Sequence, residues 1–427
     1  MKSSGSAPRP WSFTPAGAHP GPERAPAHDS LRRVSLDTSW RAKVGLATAA
    51  ALLAFTVVAL VGEAAVRYRE RHRTALAGTM PLLYYRHGRL GHALVRNFDY
   101  FGWVHINREG FRGPEVAVAK PPGALRIMAI GSSTTFDPTV SGDQATWPAR
   151  LQFWLRQLAS DQAIEVINAG VPGYRVEDDL IRLETDLFRY RPDVIILYEG
   201  HNDLSAALRR GRGQDMSDTD TPGEVPVVTP WGHWLSRHSL LYGKLAERLI
   251  VLRYVSAGRH ALTRAQAAGP SDEEIIESGA RQFERDLTFF LTAARSLGVR
   301  VVIPAMVHVS GVGTEAERDS TLWHEWSYTV PFASPETVLR GYVRYNAVLH
   351  EAAGRFSATW VPTDSFGLAG LELYARGDPI HFNDRGADRM ARRLADALVA
   401  SGVLNPHRTP RGATRAAAGP ELQQQRP

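Results

Sequence analysis

The stretch Leu125–Thr135, LRIMAIGSSTT, decides how this chain folds. Its first six residues form a short, largely apolar run, which is typical of a strand buried in a sheet. Gly131 ends that run, and the polar residues after it indicate a turn into a helix. A serine at such a turn either caps the helix or presents its hydroxyl to a ligand, and the residues alone leave both readings open.

Strand-like and helix-like segments alternate after this first strand. Such alternation predicts an α/β fold whose parallel sheet is covered on both faces by helices. In an α/β sheet of this kind, ligands bind outside the carboxyl ends of the strands. The strands are predicted at 125–130, 165–168, 194–198, 299–304 and 359–361, and the helices at 146–159, 176–190, 275–297, 335–354 and 385–401.

Two more strand ends carry residues that suit a binding site. The second strand runs into Asn168–Tyr174, NAGVPGY, where Gly170 has no side chain to keep a substrate oxygen away from its backbone N–H. Taken alone, this segment is better read as a plain turn. The third strand runs into Glu199–Asp203, EGHND, where the Asn202 amide either donates to an oxyanion or forms a turn with its neighbour.

The segment Asp378–His381, DPIH, stands just before the last predicted helix. A nucleophilic serine needs a base within hydrogen-bond reach and a third group that orients the base. Asp378 lies three residues before His381 on a turn that Pro379 stiffens, so its carboxylate can reach the imidazole. On its own, a single Asp-x-x-His is better read as a solvated loop.

The joint pattern of GSSTT, NAGVPGY, GHND and DPIH, in this order and on these elements, resembles the SGNH/GDSL hydrolase superfamily (GDSL-like lipase/acylhydrolase). The resemblance covers roughly residues 123–403 and implies a three-layer α/β/α, flavodoxin-like fold with a five-stranded parallel sheet. An upstream segment, HINREGFRGPE, is similar to the lead-in of membrane-anchored bacterial members. The Gly-x-Ser-x-Gly elbow of the α/β-hydrolases is absent from the sequence.

The resemblance also implies roles for five residues. Ser133 is the nucleophile, His381 the base, and Asp378 the residue that orients the base. The oxyanion donors are the backbone N–H groups of Ser133 and Gly170 and the side-chain amide of Asn202. One position departs from the family, whose Gly-Asp-Ser is here Gly131-Ser132-Ser133. The missing acid is not a member of the triad, so we expect the chemistry to survive, and the change puts the geometry of the turn in doubt.

Composition excludes several other kinds of site. The chain has 427 residues, of which 44% are hydrophobic and none is cysteine. It can therefore bury a large core, but disulfide scaffolds, cysteine-ligated zinc, iron–sulfur clusters and thiol catalysis are excluded. The sequence holds no phosphate loop and no dinucleotide fingerprint. We expect no cofactor and no metal.

The net charge of +6 belongs to the ends of the chain. Residues 1–43 carry +4 and residues 404–427 carry +3, which leaves −1 for everything between them. A folded nucleic-acid-binding face would need a basic patch on the body of the protein. We therefore expect no nucleic-acid partner.

An uncharged apolar stretch, VGLATAAALLAFTVVALVG, runs from Val44 to Gly62. As a helix it reaches roughly 28 Å, close to the hydrocarbon thickness of a bilayer. A membrane helix is favoured over a buried core helix, since a core helix rarely lacks any polar face over this length. A cleaved signal peptide stays open as a weaker alternative. Basic residues flank both ends in equal number, so the positive-inside rule assigns no orientation.

These observations predict a single-pass protein of the inner (cytoplasmic) membrane, and the family resemblance favours a catalytic domain outside the cytoplasm. The predicted organisation is a disordered basic tail at 1–43, a transmembrane helix at 44–65, a linker and lead-in at 66–122, a hydrolase domain at 123–403 and a disordered tail at 404–427. Two insertions, 204–274 and 310–332, interrupt the domain and would set the substrate. The oligomeric state is not predicted.

The expected activity is hydrolysis of an ester, an O-acyl or acetyl group on a glycan or lipid, through an acyl-serine intermediate. An O-acyltransferase that modifies cell-envelope polysaccharide would use the same residues and pass the acyl group to a sugar hydroxyl. A third reading, from another class, is a non-catalytic carbohydrate-binding or assembly protein that kept the fold. The expected partners are an acylated small-molecule or glycan substrate and the membrane.

Overall fold

This computed structural model describes residues 31–71, 83–100, 102–211, 229–249, 270–308, 333–364, 371–375 and 378–404. The predicted insertion at 310–332, the first thirty residues and the predicted tail after residue 404 lie outside the described residues. The chain divides after Gly62 into two units, and the second unit, from Glu63 onward, contains the sheet.

The apolar stretch is part of one long helix, α1 (Leu31–Arg71). The helix is longer at both ends than the predicted span of 44–65, and it takes in residues 31–43 of the predicted tail. Once a helix has nucleated, each added residue gains a hydrogen bond, so the helix continues into flanks that contain no proline or glycine. The segment Ser39–Arg71 is long and apolar enough to cross a membrane, and none of its most apolar window is buried.

The predicted linker and lead-in contains two short hairpins that the sequence analysis missed. β1 (Tyr84–His87) pairs with β2 (Gly91–Leu94), and β3 (Phe98–Tyr100) pairs with β4 (Val104–Ile106), both antiparallel. Strands of three or four residues are too short to show a clear alternation of apolar and polar positions. The hairpins share a small core with Phe136 and Tyr174 of the sheet domain.

Five parallel strands form the central sheet, as predicted. They are β5 (Leu125–Gly131), β6 (Ile164–Asn168), β7 (Val194–Tyr198), β8 (Arg300–Pro304) and β9 (Thr359–Val361), and each predicted boundary lies within one residue of the observed one. Their order across the sheet is β6-β5-β7-β8-β9. The carboxyl ends of β6, β5 and β7 are therefore neighbours, which brings the first three motifs to one edge.

Helices cover both faces of the sheet, because side chains of a strand alternate between its faces. From β5, Ile127 and Ala129 pack in one core and Met128 and Ile130 pack in the other. The fold is therefore a three-layer α/β/α sandwich. The helices are α2 (Ser133–Phe136), α3 (Trp147–Leu158), α4 (Val176–Thr185), α5 (His201–Gly211), α6 (Pro230–His238), α7 (residues 240–249), α8 (Asp272–Ser296), α9 (Pro335–Phe356) and α10 (Asp384–Ala400).

Candidate active site

The turn after β5 presents Ser133 at the first position of α2. Gly131 has φ +151°, and a side chain there would lie 2.3 Å from the carbonyl oxygen of Tyr198. The carbonyl of Ser132 accepts from the N–H groups of Thr135 and Phe136 at 3.0 and 2.9 Å. The turn therefore closes normally with serine in place of the family aspartate. Ser133 is partly exposed while its neighbours on both sides are buried.

Ser133, His381 and Asp378 form a continuous hydrogen-bonded relay. The imidazole Nε2 lies 2.9 Å from the Oγ atom of Ser133, and Nδ1 lies 2.7 Å from Oδ2 of Asp378. A carboxylate can only accept, so Nδ1–H donates to Asp378 and Nε2 is left to accept the serine proton. The other carboxylate oxygen, Oδ1, accepts from the backbone N–H groups of Ile380 and His381. Residues 248 positions apart in sequence thus meet in the order a nucleophilic serine requires.

The electrostatic balance of the relay favours an ion pair. Burial by itself would lower the pKa of His381, but the charge and hydrogen bond of Asp378, helped by Asp137, hold this pKa above its usual 6.5. Burial would likewise raise the pKa of Asp378, whereas the charge of His381 and three hydrogen bonds bring it below 3.8. The arrangement therefore stabilises the imidazolium that forms when a histidine accepts a proton.

Asn202 lies at the start of α5, after the positive-φ residue Gly200. Its Nδ2 atom donates to the carbonyl oxygen of Tyr174 at 2.8 Å, and the Tyr174 hydroxyl donates to the carbonyl of His92 on β2. A side-chain amide carries two N–H bonds. The bond to Tyr174 thus fixes the orientation of the amide and leaves its second N–H for another acceptor.

Gly170 packs directly against the backbone of α2. A Cβ atom at this position would lie 2.4 Å from the Phe136 nitrogen, so only glycine fits. Its N–H donates to Oδ1 of Asn168 at 3.1 Å. Ser133, as the first residue of a helix, has an N–H without a partner inside that helix. Of the three expected oxyanion donors, Gly170 is therefore the one already engaged by another side chain.

The sequence model of the GDSL-like lipase/acylhydrolase family matches residues 129–389, which is more than half of the chain. The chain belongs to this family. Family membership and the serine, histidine and aspartate at its motif positions make the protein an ester-hydrolysing enzyme. The match begins within β5, so β1–β4 lie outside it.

Solved structures that are similar to this chain include an acetylxylan esterase and an alpha/beta hydrolase. An acetylxylan esterase from Geobacillus stearothermophilus is 16% identical, with a TM-score of 0.37 over 67% of this chain and 98% of its own. An alpha/beta hydrolase from the metagenome of Lake Arreo, Spain, is 15% identical, with a TM-score of 0.37 over 66% of this chain and 96% of its own. No curated protein matches the chain.

A loop after α2 ties the hydrolase's serine turn to the histidine segment. The Thr139 hydroxyl donates to the carbonyl of Phe382 at 2.7 Å. The backbone N–H and hydroxyl of Ser141 both bond to the carboxylate of Asp384 at 2.7 and 2.6 Å. We name Thr139, Ser141, Phe382 and Asp384 the clamp. It joins segments 243 residues apart, and no local pattern in the sequence announces it.

Arg112, in the lead-in, holds the other side of the serine turn. Its guanidinium is buried and donates to the carbonyls of Phe136, Asp137 and Trp103 and to the carboxylate of Asp143, at 2.7 to 3.0 Å. Arginine suits this place because its fixed fork serves several acceptors at once. The segment HINREGFRGPE, predicted only as a lead-in, thus supplies a support for α2.

Carboxylates that the sequence analysis did not single out are buried near the site. Burial raises the pKa of Asp137 to about 7, although the Trp147 N–H and Arg112 oppose it. Behind Asn202, burial raises the pKa of Asp203 to about 7 and that of Glu199 well above 4.5. Asp137 is far in sequence from Glu199 and Asp203, so only the fold shows that all three carboxyl groups are buried near the site.

His201 of the GHND motif is a packed side chain. It is buried with its ring against Tyr198 and Tyr342, and burial lowers the pKa of its imidazole to about 3. It is therefore neutral at working pH and does not compete with His381 as a base. Among the described residues, no group of three or more histidine, aspartate or glutamate side chains is arranged to hold a metal ion.

Proposed function

We propose that the protein hydrolyses an O-acyl ester through a covalent acyl-serine intermediate at Ser133. The observation that carries this proposal is the relay in which His381 bridges Ser133 and Asp378 at 2.9 and 2.7 Å. His381 takes the Ser133 proton as Oγ attacks the ester carbonyl. The imidazolium then gives that proton to the leaving alcohol, and water, activated by the same imidazole, releases the acid.

In this proposal, the tetrahedral oxyanion is held by the Asn202 amide and by the backbone N–H groups of Ser133 and Gly170. The Gly170 N–H serves by exchanging or sharing its present bond to Asn168. Asn202→Ala should lower kcat by on the order of 10²–10³, as expected for the loss of one such donor. Steady-state kinetics check this, and an unchanged kcat would remove Asn202 from the oxyanion site.

Covalent labelling with a fluorophosphonate tests the nucleophile. The wild-type protein should be labelled and Ser133→Ala should not, with loss of ester hydrolysis in the same variant. Ser132→Ala is the matched control, because its hydroxyl is buried next to Thr134 and outside the relay. Labelling that persists in Ser133→Ala would overturn the assignment.

Water is the proposed acyl acceptor. The proposed substrate is a glycan or a lipid that carries an O-acetyl group or a longer acyl group in ester linkage. Ser133 and the His381 side chain, which is 17% exposed, both keep part of their surface accessible to water. Product analysis with acetylated glycans, with and without a sugar acceptor, tests this. Acyl transfer to the sugar would replace hydrolysis by the O-acyltransferase reaction.

We further propose that α1 anchors the enzyme in the cytoplasmic membrane, with residues 63–427 outside the cytoplasm and no nucleic-acid partner. The length and apolar character of Ser39–Arg71 support the anchor, and the mixed charge of the sheet domain fits the absence of nucleic acid. Protease added to intact spheroplasts should digest the sheet domain. Protection of that domain would reverse the orientation.

A further inference from the structure

Helix α6 carries its aromatic side chains on the outside. Trp231 and Trp234 are 76% and 52% exposed, and the neighbouring Leu235 is exposed as well. At this spacing the three side chains share one face of the helix. The inward positions are Gly232 and Ser236, which are both buried. A surface helix of a water-soluble domain normally buries its apolar stripe, so α6 shows the reverse arrangement.

The next helix, α7, continues this pattern. Tyr242, Leu245 and Leu249 are exposed and recur at helical spacing, while Leu240 at its start is buried. Contiguous exposed apolar surface marks a site that contacts another protein or a membrane. We name the exposed side chains of α6 the aromatic face.

The corner between α6 and α7 is fixed to the first residue after the apolar stretch. The Glu63 carboxylate accepts from the Ser239 hydroxyl at 2.9 Å and from the backbone N–H groups of Leu240 and Leu241 at 2.9 and 2.8 Å. It therefore caps the N-terminus of α7, where a negative charge is favoured. Three hydrogen bonds to one carboxylate leave the corner little freedom to move away from Glu63.

A second connection lies near the end of α1. The Glu70 side chain is buried, accepts from the Tyr100 hydroxyl at 2.9 Å and lies 3.8 Å from the Lys244 ammonium group. The two contacts, at Glu63 and Glu70, hold α7 alongside the last turns of α1. The position of α6 relative to Glu63 is thus set by folded structure and not by a flexible linker.

We propose that α6 lies in the lipid–water interface, with Trp231, Trp234 and Leu235 against the headgroup–acyl boundary of the bilayer that residues 44–62 cross. This inference rests on the membrane anchoring proposed above. Glu63 follows that apolar stretch directly, so it marks the level at which the chain leaves the hydrocarbon. The nine residues of α6 reach about 13 Å from the corner, and an interfacial helix buries its apolar face by roughly 5–10 Å.

Lipid is favoured over a protein partner by the chemistry of the face. Tryptophan combines a large apolar ring with one N–H donor, and it is enriched where a membrane protein meets the headgroups. The attachment of the corner to Glu63 keeps the aromatic face within the length of α6, about 13 Å, of that level without any partner. A membrane-bound α6 would also fix the height of the active site above the lipid surface.

Because the chain has no cysteine, a nitroxide spin label can be placed at one site at a time in the full-length protein. We would label Trp234→Cys, Leu235→Cys, Val57→Cys within the apolar stretch and Phe289→Cys, an equally exposed aromatic position on α8. Each protein would be reconstituted in nanodiscs of phosphatidylcholine and phosphatidylglycerol. The measurement is the accessibility of the label to oxygen, which concentrates in lipid, relative to a water-soluble nickel chelate.

The ratio of oxygen accessibility to nickel-chelate accessibility should be several-fold higher for labels at positions 234 and 235 than for the label at position 289. It should approach the ratio for the label at position 57. A high ratio at 57 with water-like values at 234 and 235 would overturn the interfacial placement and leave the anchor standing. Low accessibility of 234 to both reagents would show a protein contact, such as a second copy, and would also overturn it. A water-like value at 57 would instead refute the anchor, and ester hydrolysis by each variant shows that the site is intact.

Discussion

At the scale of single residues, the catalytic proposal depends on how the protein sets the proton affinity of His381. Burial and the Asp378 carboxylate act in opposite directions, and the net result is a pKa above the ordinary 6.5. A histidine base works only when neutral, and it is protonated below its pKa. The same Asp378 that orients the ring therefore shifts the acid limit of activity toward higher pH.

The pH profile of kcat/KM tests this balance. We expect activity to fall on acidification with a midpoint above 6.5. In Asp378→Asn the midpoint should move to lower pH, because the charge that raises the pKa of His381 is gone. The maximal rate should also fall by on the order of 10⁴, since the amide no longer selects the productive tautomer. An acid limb that stays in place in this variant would contradict the role of Asp378.

Glu199 offers a second residue-scale test, on stability. Burial raises its pKa well above 4.5, so the folded protein holds a proton that the unfolded chain releases as pH rises. The free energy of unfolding should therefore fall as pH increases from about 4.5 toward the raised pKa. Glu199→Gln cannot ionise and should remove this loss, leaving the variant more stable than the wild type at about pH 8 but not near pH 4.5.

Chemical denaturation of the full chain in detergent measures this difference. The control is Glu184→Gln, an exposed carboxylate on α4 that should change stability little at either pH. If Glu199→Gln were instead the less stable protein at the higher pH, Glu199 would be ionised in the folded state.

At the scale of elements, the clamp explains how a serine and a histidine far apart in sequence stay within hydrogen-bond distance. The side chains of Thr139 and Ser141 bond to the segment that carries His381, so the two motifs move as one piece. Thr139→Val keeps the shape and removes the donor. It should cost about 1 kcal/mol of stability and lower kcat by up to about 10²-fold through misplacement of the ring.

The effects on kcat and KM distinguish a positioning role of Thr139 from a merely structural one. Thr139→Val should lower kcat with little change in KM, and Thr139→Ser, which restores the donor, should recover the rate. The matched control is Thr292→Val on α8, whose exposed hydroxyl bonds only within its helix. A rise in KM with kcat unchanged would argue against the clamp.

Most helices and strands of the sheet domain could be predicted from the sequence. The strands of the sheet are short apolar runs such as Val194–Tyr198, in which every residue is buried, so their position is visible from composition alone. Predicted helix starts lie within three residues of the observed ones, and the Asn383 cap of α10 is a local signal of this kind. The helix predicted at 176–190 is shorter than expected, because α4 ends at Thr185 and a 3-10 turn, Leu187–Tyr190, follows it. The hairpins β1–β4 were missed because their stability comes from packing against Phe136 and Tyr174, and packing partners are not written in local sequence.

The residues of the candidate site also fall into two groups, those that the sequence indicates and those that only the fold shows. Ser133, Gly170, Asn202, Asp378 and His381 stand in four motifs at strand and helix ends, each of which is ambiguous alone, and only the joint pattern, through its resemblance to a known family, picks them out. The supports of the site do not, because Arg112, Thr139 and Asp384 are ordinary surface types until the fold brings them together. The family resemblance supplied the roles of the motif residues and said nothing of these contacts.

At the scale of the whole molecule, the segment between α1 and the sheet is part of the enzyme and not a spacer. Arg112 connects it to the turn of the nucleophile through the carbonyls of Phe136 and Asp137, and His92 of β2 accepts the Tyr174 hydroxyl at its carbonyl. Through Tyr174 this second contact reaches the Asn202 amide. Both the proposed nucleophile and a proposed oxyanion donor thus depend on residues outside the region that the family model matches.

Arg112→Lys tests this dependence. Lysine keeps the charge but cannot serve the four acceptors of the guanidinium, so buried carbonyls and the Asp143 carboxylate lose their donors. Stability should fall by about 3–5 kcal/mol, as when a buried charged network is broken, and kcat should fall as α2 loses its support. The control is Arg108→Lys in the same segment, whose exposed ion pairs should be worth at most about 1 kcal/mol. Chemical denaturation and steady-state kinetics of both variants test this. Equal stability and equal kcat in the two lysine variants would mean that the lead-in is a passive linker. A loss of stability and of kcat confined to Arg112→Lys would show that the lead-in supports the catalytic domain.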